Sequence, residues 1–156
     1  MFCQLAAHNI LSCQQTTAKH PRECVKGLCI LISGLPASGK TSLGRNLSDV
    51  MGIPCLDKDD FLENLYETEG IGDWEWRSSL SRRADARLQT QARNLSSVIL
   101  VSHWQPPDSR SESGTPTEWI ADTFPTIVEI WCKCPPAVAA DRFLTRSRHP
   151  GHLDRS

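Results

Sequence analysis

The sequence predicts an α/β fold, a mainly parallel sheet with helices on both faces. Three observations predict it. Short apolar runs alternate with longer segments of helical periodicity, the pattern of repeated strand–helix–strand units. The first apolar run passes straight into a glycine-rich turn and an amphipathic segment, and the second ends straight in a cluster of acidic residues. Right-handed crossovers cover both faces of such a sheet, and ligands bind at the carboxyl ends of its strands. The glycine turn and the acidic cluster are therefore expected to share one edge.

The elements follow in order. Leu28 to Ser33 (LCILIS) is a continuous apolar run, as expected of a strand buried on both faces. After the turn, Thr41 to Met51 predicts a helix with Leu43 and Leu47 one turn apart, stopped by Gly52. Ile53 to Leu56 predicts a second strand, leading into DKDD. Phe61, Leu62 and Leu65 predict a helix, and the stretch from Glu67 to Asp73, with its two glycines, a loop. Trp74 to Leu95 predicts a long helix with Leu80, Ala84 and Leu88 at four-residue spacing. Val98 to Ser102 predicts a third strand, and His103 to Thr117, rich in Pro and Ser, a loop. A short helix around Trp119 precedes a fourth strand, Ile127 to Cys132; Pro135 and Pro136 then open a last helix reaching about Ser147. Residues 1 to about 26 read as a poorly ordered extension, and 27–156 as one domain.

Composition narrows the function classes. A formal net charge of -1 over 156 residues supplies no global field for bulk nucleic-acid binding. Arg77, Arg82, Arg83, Arg87 and Arg93 read as a solvated helix face, while Arg142, Arg146, Arg148 and Arg155 form a second group. The seven cysteines include no CxxC pair, so zinc is not expected, and Cys29 and Cys55 read as core residues. The N-terminus lacks the basic start and apolar run of a signal peptide, and no stretch is long and apolar enough to span a bilayer. A reducing, cytoplasmic setting is the expectation.

The turn reads GLPASGKT, Gly34 to Thr41, which fits the phosphate-binding P-loop G-x-x-x-x-G-K-[ST]. Gly34 and Gly39 let the backbone wrap phosphate oxygens without a Cβ in the way. The N–H groups from Ala37 through Ser38 to Thr41 and Ser42 converge on those oxygens at the positive end of the helix. Lys40 brings a point charge to the β- and γ-phosphates, and the Thr41 hydroxyl is the expected Mg²⁺ ligand. A nucleoside triphosphate, ATP with Mg²⁺, is the predicted ligand.

The acidic cluster Asp57-Lys58-Asp59-Asp60 admits two readings. Two carboxylates two residues apart at a strand end can point the same way, Asp59 toward an acceptor hydroxyl as general base and Asp57 toward a magnesium-bound water. Alternatively, Asp57 or Asp59 is the N-cap of the following helix.

GLPASGKTSLGRNL followed by LDKDDF resembles the small P-loop kinases and kinase-like proteins. These include shikimate and gluconate kinases, chloramphenicol phosphotransferase, zeta toxins and the 5′-hydroxyl kinase domain of polynucleotide kinases. It also resembles bacterial proteins labelled AAA family ATPase, which carry a later segment similar to CKCPPAVAADRFLTRSRHPGHLD. The resemblance runs from Leu28 to about Asp154. It implies that Asp59 is the acceptor-binding base and that Asp57 lies near magnesium. It also implies that Arg142, Arg146 and Arg148 belong to a basic lid closing over the phosphates near residues 142–152. By spacing, Arg142 and Arg146 share one helix face. A solvated helix end is the other reading of these arginines. Polynucleotide kinases carry an arginine where this chain has Leu62, which argues against a nucleic-acid acceptor. His149 and His152 lack a third ligand nearby in sequence, and a lid turn at Pro150 and Gly151 is expected instead.

Two departures shape the functional expectation. The third strand ends Val101-Ser102-His103-Trp104, without the acidic residues of a motor ATPase, and no guanine-reading NKxD motif is present. The sequence also stops shortly after the lid, where related kinases add a strand and a helix, so a kinase-like P-loop fold lacking its final strand is expected. The primary expectation is transfer of the γ-phosphoryl group of ATP to a hydroxyl of a small molecule. A non-catalytic ATP-binding module is the alternative, and an ATP-hydrolysing switch a third.

Overall fold

A computed structural model describes residues 27–106 and 114–152. Its strands are β1 (Leu28–Gly34), β2 (Cys55–Asp57), β3 (Val98–Val101) and β4 (Thr126–Cys132). They form one sheet in the order β2-β3-β1-β4, with every pairing parallel. The central position of β1 explains its apolar run: Cys29 enters one hydrophobic cluster while Leu28, Ile30 and Ile32 enter another on the opposite face. β3 is buried throughout. Side chains alternate between faces along each strand, so a strand covered on both sides has no polar positions to spare.

The helices are α1 (Lys40–Met51), α2 (Lys58–Glu69), α3 (Trp74–Arg93), α4 (Glu118–Thr123) and α5 (Pro136–Thr145), with a single 3₁₀ turn at Pro150–His152. On α3 the expected four-residue stripe is present and extends to Ala92; Leu80, Ala84, Leu88 and Ala92 are all buried. Burial of each leucine contributes about 1.5–3 kcal/mol before the cost of ordering it. A third cluster (Leu62, Leu65, Tyr66, Leu80 and Ala84) binds α2 to α3. Asp73 caps α3 by accepting from the Trp76 amide at 2.9 Å. α1 lies so close to the sheet that a Cβ on Gly44 would stand 2.7 Å from Val101 Cγ2.

Several boundaries differ from expectation. α2 runs on to Glu69, which shortens the predicted loop, because the buried Leu62, Leu65 and Tyr66 keep it packed on α3. α5 stops at Thr145, short of Ser147: Arg146 is its C-cap, with extended backbone. The extension 1–26 and residues 107–113 of the Pro- and Ser-rich loop lie outside the described residues. β4 is an edge strand, and its Ile127, Val128 and Trp131 are exposed.

Candidate active site

The P-loop joins β1 to α1 through three residues with positive φ: Gly34 at 140°, Ala37 at 60° and Gly39 at 101°. A Cβ on Gly34 would stand 2.7 Å from the Cys132 carbonyl oxygen and 2.9 Å from Ser38 Oγ. Ala37 takes the left-handed conformation without glycine's freedom, a local strain that sequence inspection does not reveal. Gly39 is the N-cap of α1, offers no side chain to its free N–H groups, and the first turn contains no acidic residue. A helix start with no side-chain cap and no acidic residue of its own suits an anion. The buried Ser38 Oγ has no hydrogen-bond partner, and Ser42 is exposed on the same turn. Lys40 Nζ donates to the carbonyls of Gly34 and Leu35, each at 2.9 Å. Burial lowers the Lys40 pKa, and the charges of Asp57 and Asp59 oppose that shift. These features fit a polyphosphate.

Asp57 takes the N-cap reading of the acidic cluster and also touches the P-loop. It is the last residue of β2 and the N-cap of α2 at once: one carboxylate oxygen accepts from the Asp59 amide at 3.0 Å, the other from Thr41 Oγ1 at 2.6 Å. Burial pushes its pKa up to about 6, against the lowering effect of those two hydrogen bonds. A buried carboxylate and a hydroxyl side by side at the phosphate loop are the hard oxygen donors that suit a divalent cation.

Asp59 faces the other way along the edge. Its side chain is 51% exposed and pairs with Arg148, whose Nη2 lies 2.7 Å from Asp59 Oδ2. Arg148 was expected over the phosphates; here it pairs with Asp59. Arg146 is the lid arginine that acts on Lys40 electrostatically, lowering its pKa, while its guanidinium lies 4.9 Å from the Phe143 ring centroid. Arg142 stays exposed in the last turn of α5. Arg146 is the C-cap, and its amide still donates to the Arg142 carbonyl at 3.0 Å, so the two stand one turn apart at the end of the helix.

The turn after α5 closes on α2 through contacts that the sequence did not announce. His149 stacks on Tyr66 with ring centroids 5.2 Å apart, and His152 meets the same ring edge-on at 5.7 Å. Gly151 packs on that ring so tightly that a Cβ there would lie 2.5 Å from Tyr66 Cδ2. His152 Nε2 lies 2.9 Å from Glu63 Oε1 and 3.4 Å from Arg148 Nη2. The two histidines therefore serve packing and a polar latch. Their spacing, one 3₁₀ turn, was the available signal. Among the tryptophans, Trp104 is fixed by donation from Nε1 to the Ile32 carbonyl at 3.0 Å, while Trp74 is exposed. The α3 arginines are mostly solvated; Arg83 pairs with Glu69 and Arg87 contacts Asn64.

A parallel sheet carrying a P-loop after its central strand, with a carboxylate edge beside it, defines an α/β P-loop nucleotide-binding protein of the kinase-like kind. The profile of the AAA_33 family, an AAA domain, matches residues 29–155, and the chain belongs to that family. A solved structure from Chloroflexus aurantiacus, designated a kinase, superposes with a TM-score of 0.70 at 29% identity, over 81% of this chain and 71% of that one. A gluconokinase from Sinorhizobium meliloti (TM-score 0.52, 20% identity) shares the fold over 81% of this chain and 70% of its own. A shikimate kinase from Bacteroides thetaiotaomicron (TM-score 0.50, 18% identity) does so over 83% and 70%. A cytidylate kinase from Haloarcula marismortui is 24% identical over 129 residues, 79% of this chain but 60% of that protein. No helix among the described residues is long and apolar enough to cross a membrane.

Proposed function

We propose that this domain transfers the γ-phosphoryl group of ATP to a hydroxyl of a small molecule, with Asp59 as the acceptor-side base. The observation that carries this reading is the division of labour between two neighbouring carboxylates. Asp57 is buried against Thr41 of the P-loop, whereas Asp59 is half exposed beside it and faces the lid. A general base must reach the proton that it removes, and of the two only Asp59 opens toward solvent.

In this reading the loop N–H groups from Ala37 to Ser42 and the Lys40 ammonium orient the triphosphate, with Gly34 and Gly39 leaving room for it. Thr41 and Asp57 would hold Mg²⁺, which when bound neutralises phosphate charge. Arg146 adds positive charge on the Lys40 side, where charge spreads in the transition state. Arg148 must leave Asp59 when an acceptor hydroxyl arrives. Arg142 has no assigned part. The free cysteines Cys29, Cys55, Cys132 and Cys134 fit a reducing cytoplasm, where ATP is available.

An acceptor panel tests this reading. It includes cytidylate, gluconate and shikimate, the compounds named by similar proteins, together with neutral polyols. ADP release that depends on one acceptor is expected, and Asp59→Asn should lower it by about 10²–10⁴-fold with unchanged ATP affinity. Equal transfer by Asp59→Asn would remove the base assignment. The Arg148–Asp59 ion pair favours a second reading, a nucleotide-binding module without turnover, because a carboxylate held by guanidinium is a poor base. ATP binding with no transfer to any acceptor would select it.

A further inference from the structure

Between the two carboxylates stands Lys58, and its side chain leaves the site in the opposite direction. Its Nζ lies 2.8 Å from Asp85 Oδ1 and 2.9 Å from Oδ2, on α3. Asp85 Oδ1 also accepts from Thr115 Oγ1 at 2.8 Å, and that hydroxyl meets Ser102 Oγ at 2.5 Å. Thr115 and Ser102 are buried, and the Lys58 and Asp85 side chains nearly so. Four polar side chains thus run under the site from the start of α2, across α3, to the end of β3 and the segment following it.

The far end of this chain is itself tied down. The Thr115 amide donates to the His103 carbonyl at 2.8 Å, and the Gln105 amide donates to the Thr115 carbonyl at 2.9 Å. Trp104 Nε1, between them in sequence, donates to the Ile32 carbonyl two residues before the P-loop. The feet of the segment after β3 are thereby joined to both the acidic turn and the strand that feeds the phosphate loop.

We propose that Lys58, Asp85 and Thr115 are positioning residues for the transfer reaction, locking the rotation of the acidic turn and coupling it to the segment after β3. The proposal rests on the reading of Asp59 as the acceptor-side base. Its physical basis is the position of Lys58: it is the first residue of α2, between the N-cap Asp57 and Asp59, and its side chain is held on α3 by Asp85. Clamping Lys58 fixes the first turn of α2 and so where Asp59 points, while Asp57 is held separately by Thr41. A half-buried ion pair is a poor source of stability compared with apolar residues of the same shape, so its use here is geometric. Catalysis is sensitive to such geometry, since small misplacements of a reacting group are costly.

The test uses the full chain with Lys58→Met, Thr115→Val, their combination, and Lys58→Arg. Magnesium-ATP titration should give affinities near the parent value. Amide hydrogen exchange should speed up about 10-fold or more at Asp59, Gln105 and Thr115 in Lys58→Met, with the P-loop amides unchanged. With an acceptor found in the panel, kcat should fall by about 10²-fold at constant KM for ATP, and Lys58→Arg should restore part of it. Because both single variants act through Asp85, the combination should cost little more than either alone. Unchanged exchange at all three amides overturns the proposal, as do fully multiplicative effects or a raised KM for ATP at constant kcat. Should Lys58→Met fail to fold, Thr115→Val carries the same exchange and kcat criteria. A parent protein that phosphorylates nothing in the panel would instead defeat the Asp59 reading, and the exchange measurements would then decide the coupling by themselves.

Discussion

The nucleotide side of this edge and the side proposed for the acceptor are built in different ways. The phosphate loop is one contiguous turn between β1 and α1, shaped by backbone conformation and helped by one lysine. The acceptor side is assembled from α2, α3 and the turn after α5; the Arg148–Asp59 and His152–Glu63 contacts each join residues 89 positions apart. A contiguous backbone site survives changes elsewhere in the chain. A site made of distant side chains depends on packing, and its specificity can drift without touching the donor machinery.

The comparison can be broken from either side. The largest effect is expected on the nucleotide side: Lys40→Ala should weaken ATP binding by about 10²-fold, roughly 3 kcal/mol, measured by calorimetric titration. Preserved affinity would mean that the loop does not hold the triphosphate. Next comes the scaffold between the two sides. Gly44→Ala gains about 1 kcal/mol of helix propensity, but overpacking against Val101 and Cys55 costs about 1–3 kcal/mol. A net loss on the order of 1 kcal/mol should appear as a lower urea midpoint; a higher midpoint would show that α1 can move off the sheet.

The acceptor side should respond to acid in a way that the loop does not. Burial lowers the His152 pKa, and Arg148 reinforces that shift, whereas Glu63 and Asp59 oppose it. The unfolded chain takes up a proton near the ordinary value of 6.5 and the folded ring resists it. The stability from the neutral ring is therefore complete above that pH and is lost as the pH falls below it. Thermal melts at pH 7.5 and at about pH 5.5 should differ less for His152→Phe than for the parent. An identical difference in both would remove His152 from the latch. The smallest effect is expected for Arg148→Ala without ligand, because its pair with Asp59 is solvent-facing and worth about 0–1 kcal/mol. A drop of several degrees in melting temperature would show the lid contact to be structural.

What could be read without the structure follows the same division. The P-loop was legible because its chemistry is written in consecutive residues, flanked by the strand and helix that it requires. The sheet was legible because β1 and β3 are apolar on both faces. Asp57 was half legible: capping was one of its two readings, and its second carboxylate oxygen also touches the P-loop. The segment after α5 was legible only in part: the Arg142–Arg146 spacing holds at the helix end, whereas the pairing of Arg148 with Asp59 joins residues far apart in sequence. Tyr66 carries no signal of its own in the sequence, and its role as the platform for His149 and His152 exists only once the chain has folded back. Lys58 was hidden for a plainer reason: a lysine between aspartates looks like surface charge until its partner on α3 is known.

The open side of β4 has a practical meaning for anyone handling this protein. Among the described residues no strand pairs the outer side of β4, and Ile127, Val128 and Trp131 are exposed there (Trp131 is 57% exposed); such an edge is a template for other extended chains. Concentrated samples should self-associate through this edge before the phosphate loop loses its shape. A lysine at Val128 is the natural solubilising change, because it charges the edge strand while leaving the loop, the acidic turn and the lid untouched.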